Sequence, residues 1–511
     1  MIKRYFANKD NTITNAYKAD YTTRGTGSNM GQADILEVFS IYGQVSNSSG
    51  LQRSAAHILL QFNTQEINND KNSGAISSGS AFYLKLFNCK HSQTLPRDYK
   101  LEVLNVTEEW QEGLGLDMEN FSDLTYDVRG SNWIKRSGSV NWGGDMRNNG
   151  GTSGSYIYPI SFPEGNENLE LNITPLVNEW LGGTKTNNGL IIRMSSSLER
   201  QNRSYYTKKF FGRSSHNWFE RPVIEARWDS SKQDDRGSFY LSSSLVEAKD
   251  NLNTIYLYNY VRGRLSNIPS INTTGHKKGR QIMVSLFSGS SQNTAPSGSA
   301  LKLVADGNNV SSVNQHAVTG GWVSKGIYSA SFAYTGSSTI QNIYDVWFSG
   351  STTTRDASKA ERQFATGSIT VKRFSSLQYA YTPKYVFAVS NKNQSYYYDQ
   401  THRIRLYARE KNWSPNIYTV ATSVPDSLVF ESASYQIYRV TDSKVVIPYD
   451  TGSNQATRLS YDVSGNYFDL DCSMFEPNYQ YGINFSIYDP DTSTYEEQPF
   501  VYNFRVIKNE S

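Results

Sequence analysis

Cysteine is nearly absent from this chain: Cys89 and Cys472 are the only two in 511 residues, and they lie at opposite ends. A structural disulfide is not expected, and the cysteine-rich secreted scaffolds are excluded. Folding in a reducing compartment, with stability from packing or assembly, is the expectation. Charge is also scarce, at 19% of residues with a net charge of +3. That balance excludes an acidic disordered chain and argues against a strongly basic nucleic-acid binder. No run approaches the ~18 apolar residues of a membrane helix, so no membrane partner is expected. The start, Met1-Ile2-Lys3-Arg4-Tyr5-Phe6, is basic but lacks the apolar stretch of a signal peptide. Histidine is thin and scattered: among His57, His91, His216, His276, His316 and His402 no two fall within ten residues, so no local metal-ligand pair exists. Neither a G-x-S-x-G elbow nor a phosphate loop occurs. Arg24 to Gly31 is glycine-bearing but lacks a preceding apolar strand and a Lys-Ser/Thr ending, and is expected to be a tight docking loop. Asp469 and Asp471, like Asp489 and Asp491, lack calcium-loop spacing and fit turns or edges. The expectation is a non-enzymatic chain with no catalytic, metal or cofactor residues.

Aromatic residues are abundant: 36 Tyr, 23 Phe and 9 Trp, with 37 Gly. Aromatics favour half-buried strands and Gly favours turns. Period-2 alternation recurs, as in Phe82 to Phe87, Tyr99 to Val103, Leu169 to Ile173 and His402 to Leu406. Further strand-like runs are Gln281 to Phe287, Ile343 to Phe348 and Tyr385 to Val389. The last strand places Phe500, Tyr502, Phe504 and Val506 on one face and Val501, Asn503 and Arg505 on a mostly polar other face. Many short strands separated by turns indicate all-β sandwiches.

At ~150 residues per domain the length allows three or four domains. The polar stretch Asp229 to Gly237 marks one boundary and Ser375 another. The expected organisation is an extended N-terminal arm over 1–34, then three serial β-sandwich modules over 35–230, 231–375 and 376–511, jelly-roll-like first and immunoglobulin-like later. The arm is expected to fold only against a neighbour. One helix is expected: Thr174 caps, Pro175 starts it, Leu176, Val177, Trp180 and Leu181 form its apolar stripe, and Gly182-Gly183 closes it. Val106 to Trp110 reads as a second copy. Trp110, Trp142 and Trp180 are expected to be core. Residues 190–228 are locally basic with interleaved aromatics, a pattern that serves either nucleic acid or an acidic neighbour. The second is favoured because the other modules carry no matching excess. Arg24, Arg193 and Arg213 are the candidate contacts.

Residues 35 to 228 resemble the β-sandwich module named after a DNRLRE signature, found in bacterial surface and secreted proteins. The resemblance rests on Phe82 to Leu86, Val103 to Gly113 with Trp110-Gln111-Glu112-Gly113, Val140-Asn141-Trp142, Asn172 to Trp180, Asn188-Gly189-Leu190, and Glu220-Arg221-Pro222. The stretches 111–139 and 201–219 depart from its compact pattern. Tyr5 to Ala16 and Gly27 to Phe39 resemble the start of virion structural proteins of large tailed phages, especially those of marine hosts. That resemblance implies a neck, tail, baseplate or capsid-decoration component in the virion, assembled in host cytoplasm, with other virion proteins or a symmetric homo-oligomeric ring as partners. The alternative is a carbohydrate-binding adhesin or receptor-binding fibre meeting a host-surface glycan, with exposed paired aromatics at Tyr256-x-Tyr258-x-Tyr260 or Tyr396-Tyr397-Tyr398. A glycan depolymerase would need two carboxylates across a cleft.

Overall fold

The computed structural model describes residues 1–18, 20–43, 53–90, 95–116, 130–144, 146, 152–241, 247, 250–269, 271, 276–277, 280–289, 296, 298, 300–305, 315–334, 339–372, 385–411, 427–490 and 492–508. They form an all-β, multi-domain protein that divides into two compact units, Met1–Trp228 and Asp229–Ser511. The expected boundary at Ser375 lies outside the described residues.

The first unit corrects the expected arm. Ile2–Thr14 is a central strand rather than a projecting segment. Its first half runs antiparallel to Val223–Arg227. A bulge between Ala7 and Lys9 then turns it into a second sheet, where it pairs Arg53–Phe62. One strand therefore stitches two sheets together. The first sheet continues through Ala81–Leu86 to Leu169–Asn172. The second continues through Leu190–Met194 and Tyr99–Val106 to Thr152–Phe162. Phe82, Leu84, Leu86, Ile224 and Ala226 from one sheet meet Ile58, Leu60, Leu101, Val103 and Ile192 from the other in a common core. Helices Thr64–Ser73 and Thr174–Gly182 add Ile67, Leu176, Val177 and Trp180 to it.

The second sheet is covered on its far side as well. Ile13, Leu59, Leu104 and Ile191 pack there against Trp110, Trp133, Trp142 and Met146. Two-sided burial explains why Leu190, Ile191 and Ile192 are apolar in succession, without alternation. Trp180 sits on a helix as its sequence implies, with Pro175 in the first turn and Gly183 left-handed at the C-cap, but Thr174 does not cap it: the N-cap is Ile173, and the Thr174 hydroxyl accepts from Phe82 N–H instead. The segment Val106 to Trp110 is not helical: after Val106 the chain runs irregularly over the sheet. Trp110 is held there because its indole N–H donates to the Asn188 carbonyl at 2.8 Å, while that of Trp180 reaches Asn105 Oδ1 at 3.2 Å.

The second unit contains two pairs of sheets. In the first pair, Gln363–Lys372, Asn342–Gly350 and Arg280–Phe287 lie across a shared core from Asn253–Tyr258 and Ile327–Phe332. Ile282, Val284, Ile343 and Trp347 meet Ile255, Tyr328 and Phe332 in that core. The second pair sets Tyr385–Val389, Thr401–Glu410, Gly465–Asp471 and Ser460–Asp462 against a five-stranded sheet. That sheet runs Ser395–Tyr397, Thr494–Ile507, Gln480–Asp489, Ala433–Arg439, Lys444–Ile447. Tyr435 stacks on Phe468 at 4.0 Å, and Phe468 meets Phe485 edge-on, tying one sheet to the other.

The polar stretch 229–237 is not a free linker. Lys232 N–H donates to Ser460 Oγ and Asp234 N–H to the Tyr461 carbonyl. Tyr461 Oη donates to Asp235 at 2.7 Å. On its other side Arg236 forks onto Asp345 at 2.6 and 2.8 Å. The stretch is thus a clasp bonded to both sheet pairs.

Candidate functional site

The three arginines expected to meet neighbours are used inside the first unit. Arg24 donates to the carbonyls of Asn15 and Arg53 and lies 4.1 Å from the Tyr17 ring centroid. Arg193 is buried and pairs Glu102 at 3.0 Å. Arg213 pairs Glu112 at 3.0 Å, and its N–H donates to Asp10. Much of the basic stretch behaves alike. Lys209 pairs Glu37, and Arg227 pairs Glu225 and Glu170. Lys208 is buried, donates to Asn88 Oδ1 and the carbonyls of Gly165 and Glu167, and burial pushes its pKa down to about 8. Arg193, Lys209, Arg213 and Arg227 thus neutralise carboxylates of their own unit and Lys208 is spent on an amide and two carbonyls, which leaves Arg200 and Arg203 as the exposed cations of the stretch.

The loop Arg24 to Gly31 docks inward. Asn29 donates to the carbonyls of Glu112 and Ser131 and accepts from the N–H groups of Gly31 and Gly115. A Cβ on Gly113, which has φ +87°, would stand 2.3 Å from Asn29 Oδ1. Glycine is needed there for both backbone and space.

The expected aromatic patches are not exposed as sets. Tyr256 and Tyr258 stack at 6.2 Å, but Tyr258 bonds Tyr467, and burial raises the pKa of both. Tyr396 is buried against Tyr502. Of these six tyrosines, Tyr260 and Tyr397 are exposed.

A different surface collects polar and aromatic groups: the outer face of the five-stranded sheet. Alternation buries Tyr481, Ile483, Phe485, Tyr502, Phe504 and Val506 on the inner face and turns Gln480, Asn484, Val501, Asn503 and Arg505 outward. Register then builds rows. Gln480 and Ser395 flank Arg505, Gly482 lies opposite Asn503, Asn484 opposite Val501, and Tyr488 opposite Tyr495. On the next strand Tyr438 pairs Gly482 and Gln436 pairs Asn484. A Cβ on Gly482 would lie 2.5 to 2.7 Å from Cζ, Oη and Cε1 of Tyr438. The missing side chain lets the phenol ring lie across the strand instead of standing off it. Tyr488 and Tyr495 form an exposed edge-to-face pair with centroids 5.3 Å apart. From Gln480 to Tyr488 the strand spans about 27 Å at ~3.4 Å per residue.

At the Arg505 end the face opens into a cleft of about 770 Å³, lined by Gln394, Ser395, Asn478, Gln480, Asn503 and Arg505, with Thr441 and Tyr479 at its side. No carboxylate lines it. Sequence reasoning separated the polar face of the last strand but missed Tyr438, Gly482 and the Tyr488–Tyr495 pair. The cross-strand register that joins them depends on the fold.

Among the described residues no group of three or more His, Cys, Asp or Glu is placed to hold a metal ion, and no helix is long and apolar enough to cross a membrane. The most titration-shifted carboxyl near a second acid is Asp10. Burial first, then Glu112, raises it to about 7 despite the Arg213 N–H. It is fully buried and serves packing of the N-terminal strand.

No family model and no curated protein matches the chain. Solved structures similar to it are sheet-sandwich proteins. Fibronectin(III)-like modules of Clostridium thermocellum CbhA align at 9% identity over 55% of this chain and 92% of theirs, with a TM-score of 0.14. The titin domains z1z2, solved with telethonin, align at 12% identity over 41% and 81%, with a TM-score of 0.13. Alpha-2-macroglobulin of E. coli aligns at 9% identity over 93% of this chain and 20% of its own, with a TM-score of 0.15. At TM-scores this low the likeness carries no argument about function.

Proposed function

We propose that the chain is a non-catalytic, multi-domain adhesive protein that binds carbohydrate on the outer face of its last five-stranded sheet. The observation that carries this reading is Tyr438 laid across Gly482 within a row of outward amides, with the Tyr488–Tyr495 pair along the same face. Aromatic rings cover the apolar faces of sugar rings, and side-chain amides both donate to and accept from vicinal hydroxyls. A rigid sheet presents both at fixed spacing and loses little conformational freedom on binding. A cleft without carboxylates lacks the pair that glycoside hydrolysis uses, so the face holds a glycan rather than cutting it.

In this reading the first unit is a jelly-roll-like module and the second holds two immunoglobulin-like ones, supported by the two separate sheet pairs of that unit. A place in a phage particle, as a receptor-binding component, rests on the N-terminal pattern Tyr5 to Ala16 and Gly27 to Phe39. The experiment is affinity electrophoresis of the full chain through gels containing neutral polysaccharides. Retardation by at least one glycan is expected, with about tenfold weaker binding for Tyr438→Ala and an unchanged melting temperature. Free migration in every gel, or full binding by Tyr438→Ala, would rule out this face as the binding site.

A further inference from the structure

The charge of the cleft narrows the class of glycan, an inference that rests on the carbohydrate reading of this face. Three arginines of the same sheet pair are held by carboxylates: Arg403 by Asp469, Arg405 by Asp462, Arg439 by Asp442 and Glu476. Arg505 differs. Its one side-chain hydrogen bond among the described residues runs from Nη2 to the Asn478 carbonyl at 3.1 Å, and no carboxylate pairs with it. That bond orients the guanidinium and leaves most of its N–H donors to the cleft. The acids nearest in sequence to the lining are already engaged, since Asp442, beside Thr441, and Glu476, close to Asn478, both bond Arg439. Around Arg505 stand Gln394, Ser395, Gln480 and Asn503, which are neutral.

An oriented, exposed guanidinium in a neutral polar cleft is a receptor for a planar or tetrahedral anion, because its fork matches carboxylate and sulfate oxygens. We propose that the cleft takes the acidic group of an anionic glycan, a uronate carboxylate or a sugar sulfate, while neighbouring sugars of the same chain lie over Tyr438. A glycan is favoured over an acidic peptide because the positive site is continuous with the Tyr438 row, 2 positions along the same strand pair. The acidic end of the face begins at Glu497, which accepts from Asn484 Nδ2 at 3.2 Å on the side of the Tyr438 row away from Arg505, so the anion has one place to sit.

The test titrates the full chain by isothermal calorimetry with three oligosaccharides of equal length: one containing glucuronate, its carboxyl-reduced neutral counterpart, and a sulfated one. The acidic ligands are expected to bind about tenfold tighter than the neutral one, and Arg505→Gln to erase that difference, so that the three ligands bind alike. Arg505→Lys should keep part of the preference. Preference for the glucuronate ligand alone assigns carboxylate as the anion, and preference for the sulfated ligand alone assigns sulfate. Equal binding of acidic and neutral ligands overturns the inference and leaves the carbohydrate reading standing. Binding of none overturns both. A preference that survives Arg505→Gln, or a glutamate-rich peptide that displaces the glycan at equal concentration, also overturns the inference.

Discussion

Glu225 is a carboxylate without solvent access, and Arg4, Lys85 and Arg227 surround it. Burial alone would raise its pKa; the three cations overcome that and hold it at about 2. The native state therefore holds this proton less tightly than the unfolded chain does. Its contribution is full above the unfolded value near 4.5 and is lost as pH falls toward about 2. Asp10 works in the opposite sense, because burial raises it to about 7. Its protonated form suits the native state, so stability falls as pH rises from about 4 to about 7. Melting of the first unit across pH should show both slopes. Asp10→Asn should flatten the decline on the alkaline side, and Glu225→Gln should remove the loss on the acid side while lowering stability at neutral pH by roughly 3–5 kcal/mol. An alkaline slope unchanged in Asp10→Asn would place that titration elsewhere. Trp110 gives a second measure at this scale. It is 1% exposed, so Trp110→Ala leaves a cavity and an unpaired Asn188 carbonyl, and about 3–5 kcal/mol should be lost in urea unfolding. A loss under ~1 kcal/mol would mean that the layer over the far face of the sheet is loosely packed.

The N-terminal strand shows how a polar element becomes a core one. Lys3, Arg4, Lys9, Asp10 and Asn11 make Ile2–Thr14 look like a solvated arm. Each of three polar groups finds a distant partner: Arg4 reaches Glu225, Asn11 reaches Ser131, and Asp10 accepts from Arg213, across 221, 120 and 203 residues. Hydrophobic periodicity cannot register such bonds, which is why this strand is illegible in the sequence while Ala81–Leu86, Tyr99–Val106 and Leu169–Asn172 are plain from alternation. The helix at Thr174 is legible from Pro175 and its closing glycines. The setting of Trp110 is not, because its irregular segment borrows order from the sheet below. On the last sheet, alternation exposes the polar face of the final strand, but only pairing puts Tyr438 over Gly482. Deleting residues 1–14 removes the strand that joins the two sheets of the first unit. Loss of near-UV circular dichroism and rapid proteolysis within that unit are expected. A folded truncated chain whose only change is oligomer size would restore the arm.

Serial beads on linkers would let the last sheet pair fold without what precedes it, and the clasp at 229–237 makes that unfavourable. Gln233 bridges Tyr461 in parallel register, with Tyr461 N–H donating to the Lys232 carbonyl and Asp234 N–H to that of Tyr461. Lys232 N–H reaches Ser460 Oγ and Tyr461 Oη reaches Asp235. Asp234 is driven up to about 6 chiefly by burial, and Asp235 upward by the same cause, so these acids are set inside the seam rather than on a solvated connector. Tyr258 closes over the same seam against Tyr467. Removing the clasp strips these four hydrogen bonds and a fifth, from Gln233 Nε2 to the Glu431 carbonyl, at ~1 kcal/mol each, and exposes the Tyr461 and Tyr467 rings to water. A fragment spanning 385–511 should therefore unfold at lower urea than 229–511, by roughly 3–5 kcal/mol. Tyr461→Phe in the longer fragment isolates one bond and should cost about 1–2 kcal/mol, because the half-buried Asp235 loses one donor. Equal stability of the two fragments would mean that the last sheet pair stands alone. In that case the cleft at Arg505 belongs to a self-sufficient domain.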